Sequence, residues 1–142
     1  MNHSASCDVE GLVRDYYRAL EGNQPLAGFY ATDAEAGAFG PPVKVGTGDA
    51  EVFVGYQAIA GELERGAATF ARNRLGSRAL LAHRRGDLGW FFDQVWWAGE
   101  ADGQPFASLT RWTGVCVRCP GGWKLVQLHV SEGAGGPSTS TT

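Results

Sequence analysis

Between residues 74 and 131 the chain has little choice but to form an antiparallel sheet. Four strand-like runs, near 74–84, 89–98, 106–118 and 123–131, are separated by Arg85-Gly86-Asp87, Asp102-Gly103 and Pro120-Gly121-Gly122. Connections this short join antiparallel neighbours, so the runs read as a four-stranded meander. A sheet of that size needs cover on at least one face, and the first seventy residues supply helices. Val9, Leu12, Val13, Tyr16, Tyr17 and Leu20 recur at helical spacing and form one apolar stripe. Ser6 is placed to cap that helix, with Asp8 and Glu10 in the first turn, and Gly22-Asn23 stop it.

Pro25 suits the first turn of a short second helix carrying Leu26, Phe29 and Tyr30. Ala34 to Phe39 reads as a strand broken by Gly40-Pro41-Pro42, and Val43 and Val45 as a brief second one. Tyr56, Ile59, Leu63, Ala67 and Phe70 give a third helix its apolar face. Gly61 and Gly66 cost that helix about 1 kcal/mol each against alanine, so packing has to hold it. The fold class is α+β, with N-terminal helices closing the mouth of a strongly curved antiparallel β-sheet. Residues 1–7 are expected to be a flexible N-terminus, 8–132 one domain, and 133–142 a disordered tail, since that tail has no large apolar side chain.

Composition narrows the function classes. Fifteen acidic against twelve basic residues give a net charge of −3, and the basic residues are scattered rather than striped, so nucleic acid is not an expected partner. Met1 to Gly11 lacks the order of a signal peptide, and no run approaches the roughly 18 to 20 apolar residues of a membrane span. A cytoplasmic location and no membrane partner are expected. Three cysteines, Cys7, Cys116 and Cys119, cannot all pair within the chain. Cys116 and Cys119 have C-x-x-C spacing, but no second ligand pair accompanies them and they run into a turn rather than a helix. They read as buried free thiols at a hairpin end, and neither a metal nor a cofactor is expected.

One strand is apolar on both faces. Trp90, Phe92 and Trp96 alternate with Phe91, Val95 and Trp97, and Val126, Leu128 and Val130 repeat the pattern on the last strand. One of these faces is core; the other would leave a contiguous aromatic patch in water, which monomers rarely do. A homodimer through the outer sheet face is expected, the alternative being that the third helix or the C-terminal tail covers it.

Three further stretches carry a resemblance: Gly22-Asn23-Gln24-Pro25-Leu26 through Phe29-Tyr30-Ala31-Thr32-Asp33-Ala34; Gly46-Thr47-Gly48-Asp49 followed by Val54-Gly55-Tyr56-Gln57-Ala58-Ile59; and the series Arg111-Trp112-Thr113, Gly122-Trp123-Lys124-Leu125 and His129-Val130-Ser131. In order and spacing the chain resembles the nuclear transport factor 2-like superfamily, in particular its SnoaL-like (polyketide cyclase-like) branch. The last two motifs also resemble the association domain of calcium/calmodulin-dependent kinases. The resemblance implies a pocket between the helices and the concave sheet face. It implies no single activity, because this fold hosts enzymes, adaptors and oligomerisation modules.

Tyr16, Tyr17, Phe29, Tyr30 and Phe53 are candidates for the apolar wall of such a pocket. Its polar candidates are Arg111, Thr113, Gln127, His129, Ser131 and Asp93. On a regular last strand Gln127, His129 and Ser131 share a face with Leu125. A two-residue loop at Pro120-Gly121 would put Arg111 on the opposite face, whereas a three-residue loop ending at Gly122 would put it beside them. Glycine at the loop's end and the resemblance both favour the three-residue form. Arg111 and His129 together would suit an anionic or carbonyl-bearing organic ligand; alternatively Arg111 pairs with Asp93 and His129 is a satisfied core residue. In the ketosteroid isomerase branch, the catalytic base position falls on Ala38, with Glu35 a distant substitute, so that chemistry is not expected. The leading expectation is a small-molecule-binding domain, enzymatic or not. The alternatives are a non-enzymatic homo-oligomerisation module like the kinase association domain, and a polyketide cyclase or hydratase-type enzyme.

Overall fold

Tight turns build the sheet. In a computed structural model describing residues 5–133, Gly86-Asp87 joins β4 (Leu81–Arg85) to β5 (Leu88–Ala101), and Asp102-Gly103 joins β5 to β6 (Gln104–Cys119). Asp102 and Gly103 both have positive φ, 51° and 81°, the backbone form that matches the right-handed twist of flanking strands. Pro120-Gly121 then joins β6 to β7 (Gly122–Glu132). β3 (Phe70–Ser77) pairs with the far half of β5 and β4 with its near half, so the expected 74–84 run is one edge interrupted at residues 78–80. A buried carboxylate spans the interruption: Asp93 Oδ1 accepts from Ala79 N at 3.0 Å, and Arg78 N donates to Gln94 O at 2.8 Å.

β1 (Val43–Val45) runs parallel to β7, and β2 (Val52–Val54), which the sequence pattern does not announce, adds antiparallel to β1. The sheet order is therefore β2-β1-β7-β6-β5-β3, and the sheet is mixed. Three helices accompany it: α1 (Ala5–Glu21), α2 (Asp33–Ala36) and α3 (Tyr56–Thr69). Among the described residues no helix is long and apolar enough to cross a membrane.

Several local expectations are corrected. α1 starts at Ala5, so Ser6 lies within it rather than at its cap, and the backbone of residues 5–7 is helical. The expectations for residues 1–4 and 134–142 lie outside the described residues. The second helix is a single 3-10 turn, Ala27–Phe29. Ala34 to Phe39 is not a strand but α2 followed by a 3-10 turn, Gly37–Phe39. A capping box decides this: Thr32 Oγ1 accepts from Glu35 N at 3.1 Å, and Glu35 Oε1 accepts from Thr32 N at 2.9 Å. Asp33 also reaches forward, its Oδ1 accepting from Tyr56 N at 2.8 Å in the first turn of α3.

The core lies where α1 rests on the concave sheet face. Val9, Val13, Tyr16 and Tyr17 of its stripe are buried against Phe91, Val95, Trp112, Leu125, Leu128 and Val130. Two glycines permit this closeness. A Cβ at Gly89 would lie 2.6 Å from Val9 Cγ2, and one at Gly114 would lie 2.4 Å from Phe91 Cε1 and 2.8 Å from Gln127 O.

The register of β6 against β7 determines what faces inward. Cys119 pairs with Gly122, so the loop has two residues, not the three expected. Cys116 pairs with Leu125 but Val115 pairs with Gln127, leaving Val126 as the extra residue of a β-bulge. The bulge flips the side-chain parity once. Thr113 consequently opposes His129 and Arg111 opposes Ser131 on one face, while Leu125 no longer shares a face with Gln127. Leu128 and Val130 turn inward and Val126 is buried beside Ala31, Ala36, Val117 and Cys119, so these three valine and leucine positions do not belong to the outer face.

Candidate functional site

A cavity of about 680 Å³ opens between the concave sheet face, α3, the end of α1 and the segments around residues 23–27 and 46–51. Its sheet wall is Trp97, Phe106, Trp112, Leu128 and Val130, residues whose strand positions alternate with outward-facing neighbours. Leu63, Ala67 and Phe70 face them from α3 and its end. The aromatic rings brace one another: Phe70, Trp97 and Phe106 lie with centroids 5.2–5.7 Å apart, and Trp112 is 6.5 Å from Trp97 and 6.2 Å from Tyr16. Contacts of this geometry add about 0.5–1.5 kcal/mol each beyond area burial and keep the wall rigid.

Polar side chains complete the lining, and several of them are paired. Trp112 Nε1 donates to Thr110 Oγ1 at 2.7 Å, which donates to Val95 O at 2.7 Å. Trp97 Nε1 donates to Asn73 Oδ1 at 2.8 Å, and Ser108 Oγ donates to Glu132 Oε2 at 2.7 Å. Lys44 and Glu62 form an ion pair, Nζ to Oε1 3.0 Å, with side chains only 14% and 22% exposed. Glu62 Oε1 is buried beside this charged neighbour and accepts no hydrogen bond among the described residues. Below them Tyr16 OH and Tyr30 OH are 2.8 Å apart. Burial is the main cause that raises both phenols above their ordinary range, and the negative charge of Glu62 pushes the same way.

Of the sequence-derived site residues only Tyr16, a candidate for the apolar wall, lines this cavity, and none of the polar candidates does. Arg111, Thr113, Gln127 and His129 are exposed on the outer face of the sheet with half-buried Ser131 beside them. Arg111 and His129 do share a face, as expected, but it is the face turned away from the cavity, because α1 settles on Trp112, Leu128 and Val130 instead. Arg111 Nη2 donates to Glu132 O at 2.9 Å and does not pair with Asp93. Asp93 is fully buried and accepts from Tyr17 OH at 2.9 Å. Tyr17 is core, its phenol raised by burial and by the adjacent Asp93 carboxylate, and Tyr30 is core at 1% exposure. Ala38 is exposed in its 3-10 turn, and Glu35 is engaged in the capping box.

Lys44 and Glu62 escaped the sequence reading, though each left a signal. Lys44 sits between two valines on a strand that pairs with β7, so it takes the inward position beside Leu128 while Val43 and Val45 point out. Glu62 lies three residues after Ile59 and next to Leu63, on the buried side of α3. Cys116 and Cys119 are buried free thiols at the hairpin end; burial pushes Cys116 up to about 12 and raises Cys119. Among the described residues no three His, Cys, Asp or Glu side chains gather into a metal-holding group.

Solved structures with the same fold include a proposed dehydratase of the nuclear transport factor 2-like family from Streptomyces avermitilis, with a TM-score of 0.81, 21% identity and coverage of 90% of this chain and 95% of that one. A proposed scytalone dehydratase from Novosphingobium aromaticivorans has a TM-score of 0.76 at 14% identity, covering 95% and 87%. A proposed calcium/calmodulin-dependent protein kinase II association domain from Xanthomonas campestris has a TM-score of 0.74 at 18% identity, covering 93% and 90%. At these identities the likeness is one of fold. No match was found among curated protein sequences. The model of the SnoaL-like domain family matches residues 37–134, more than half of the chain, from the end of α2 through the last strand. The chain belongs to the SnoaL-like domain family, on the nuclear transport factor 2-like α+β cone.

Proposed function

We propose that this SnoaL-like protein binds a small organic ligand in the cavity between α3 and the concave sheet face. The observation that carries the reading is the cavity itself: about 680 Å³, walled by Trp97, Trp112, Phe106 and Phe70, with polar groups such as Lys44 and Glu62 among them. That is the size and lining of a small-molecule site. Mass spectrometry of the purified protein under native conditions should show a retained ligand, and Ala60→Phe, which fills the cavity from α3, should remove it. A ligand retained equally by Ala60→Phe would place the site elsewhere.

The oligomerisation reading is supported by a different observation and is compatible with the first. Trp90, Phe92 and Trp96 are 42%, 37% and 43% exposed on the outer face, and Leu81, opposite Phe92, is 56% exposed. Arg111, Thr113 and His129 continue that face across β6 and β7. Exposed aromatics beside polar, hydrogen-bonding groups resemble the composition of an interface core with its rim. We take a second copy of the chain as the partner, and light scattering at tens of micromolar should report a dimer; a monomer alone would overturn it.

A further inference from the structure

The charged groups of the cavity are not equally committed. Glu132 accepts from Ser108, Glu51 Oε1 accepts from Gly48 N at 3.2 Å, and Glu64 is exposed on α3. Lys44 and Glu62 differ. They face the cavity, shielded from bulk water, and neutralise each other. A buried ion pair is weak evidence for stability, because the cost of removing both ions from water rivals their attraction, and an apolar pair could join β1 to α3 as well. Its hydrogen-bonding capacity is also incomplete. Lys44 Nζ has three N–H groups, and Glu62 Oε1 accepts no hydrogen bond among the described residues.

We infer that the Lys44–Glu62 pair is the specificity-determining group of the cavity and selects an uncharged, hydroxyl-bearing aromatic ligand over anionic or cationic analogues of the same shape. A hydroxyl both accepts and donates, so it can take a hydrogen bond from Lys44 and give one to Glu62 without disturbing their neutrality. A ligand carboxylate would satisfy Lys44 but set its charge against Glu62, whose side chain is largely buried, and a ligand ammonium would do the reverse. The neighbouring Tyr16 and Tyr30 phenols carry no charge near neutral pH, since burial raises both. The indole rings of Trp97 and Trp112 supply the flat apolar wall against which an aromatic body would lie.

This inference rests on the proposed ligand-binding role of the cavity, and the test separates the two. Three probes sharing one bicyclic ring, naphthol, naphthoate and naphthylmethylammonium, are titrated calorimetrically into the whole chain at neutral pH. Naphthol should bind the wild type at least about tenfold more tightly than either charged probe, a difference of about 1.4 kcal/mol. Glu62→Gln leaves a lone ammonium and should move the preference toward naphthoate by about tenfold. Lys44→Met leaves a lone carboxylate and should move it toward the ammonium probe by as much. Circular dichroism identifies any variant that does not fold, in which case the other decides; if neither folds, the pair is structural and the assignment falls. It also falls if the rank order is unchanged in folded variants, if the wild type prefers a charged probe, or if it binds none of the three. A wild type that retains a ligand sensitive to Ala60→Phe, yet fails these tests, loses only the role of the pair. If no retained ligand and no probe responds to Ala60→Phe, the cavity reading is overturned as well.

Discussion

The two faces of β5, β6 and β7 are built from adjacent residues of the same strands and behave as different surfaces. Inward, Phe91, Asp93, Val95, Trp112, Leu128 and Val130 are buried under α1 or around the cavity. Outward, Trp90, Phe92, Trp96, Arg111, Thr113 and His129 remain accessible. In hydropathy alone the two sets overlap, since each contains tryptophan and phenylalanine. The difference between them is partnership. Polar side chains buried on the inward face of these strands have hydrogen-bond partners, such as Tyr17 on Asp93 or Thr110 on Trp112, because an unpaired polar group there would cost about 1–3 kcal/mol. Outward groups have water, and no such pressure acts on them.

The largest effects should therefore come from the inner face. Trp112→Ala removes the ring that touches Tyr16, Tyr17 and Trp97 and should cost about 3–5 kcal/mol by urea unfolding. A loss under about 1 kcal/mol would mean that the inner face is not the core. Trp96→Ala, on the neighbouring strand but outward, should cost no more than about 1 kcal/mol in the unfolding of the monomer.

Alkaline pH gives a second contrast. Burial pushes the Cys116 thiol up to about 12 from an ordinary value of 9.0, and raises Tyr16, Tyr17 and Tyr30 above 10.0. The folded state thus keeps protons that the unfolded chain releases. The resulting stability is complete below pH 9 and is lost as pH rises toward 12. The urea midpoint should fall steadily from pH 9 upward; a midpoint constant to pH 11 would show that these inner groups are solvated.

Trp96→Glu sharpens the comparison from the outside. It should convert the proposed dimer to monomer in light scattering while leaving near-ultraviolet circular dichroism of the monomer close to wild type, since the side chain contacts water rather than core. The smallest effect is expected at Arg111. Its side chain is exposed and donates to one backbone carbonyl, so Arg111→Met should change stability by about 0.5 kcal/mol or less and leave ligand retention intact. A loss of several kcal/mol, or of the ligand, would return Arg111 to a role inside the fold.

Much of the architecture was legible because it rests on local chemistry. The stripe from Val9 to Leu20, the glycine-bearing turns at residues 86, 103 and 121, and the period-two alternation of Trp90 to Trp97 name α1, three hairpins and a two-faced strand without further help. The Thr32-to-Glu35 capping box was equally local and was overlooked in favour of a strand, although alternation over six residues is a weaker signal than a paired cap. What lay beyond the sequence was the identity of the concave face. One extra residue at Val126, and a break in pairing at residues 78–80 bridged by Asp93, are single-residue events that leave no mark in hydropathy. They decide parity for whole strands, because side chains alternate with a period of two. Sequence by itself therefore determined α1, α3, the order of the long antiparallel strands and the presence of two apolar faces. Only the tertiary structure, through the bulge and the close approach of α1 over Gly89, decided that Trp112 and Leu128 line the cavity, that Lys44 and Glu62 meet inside it, and that Arg111 and His129 stand outside.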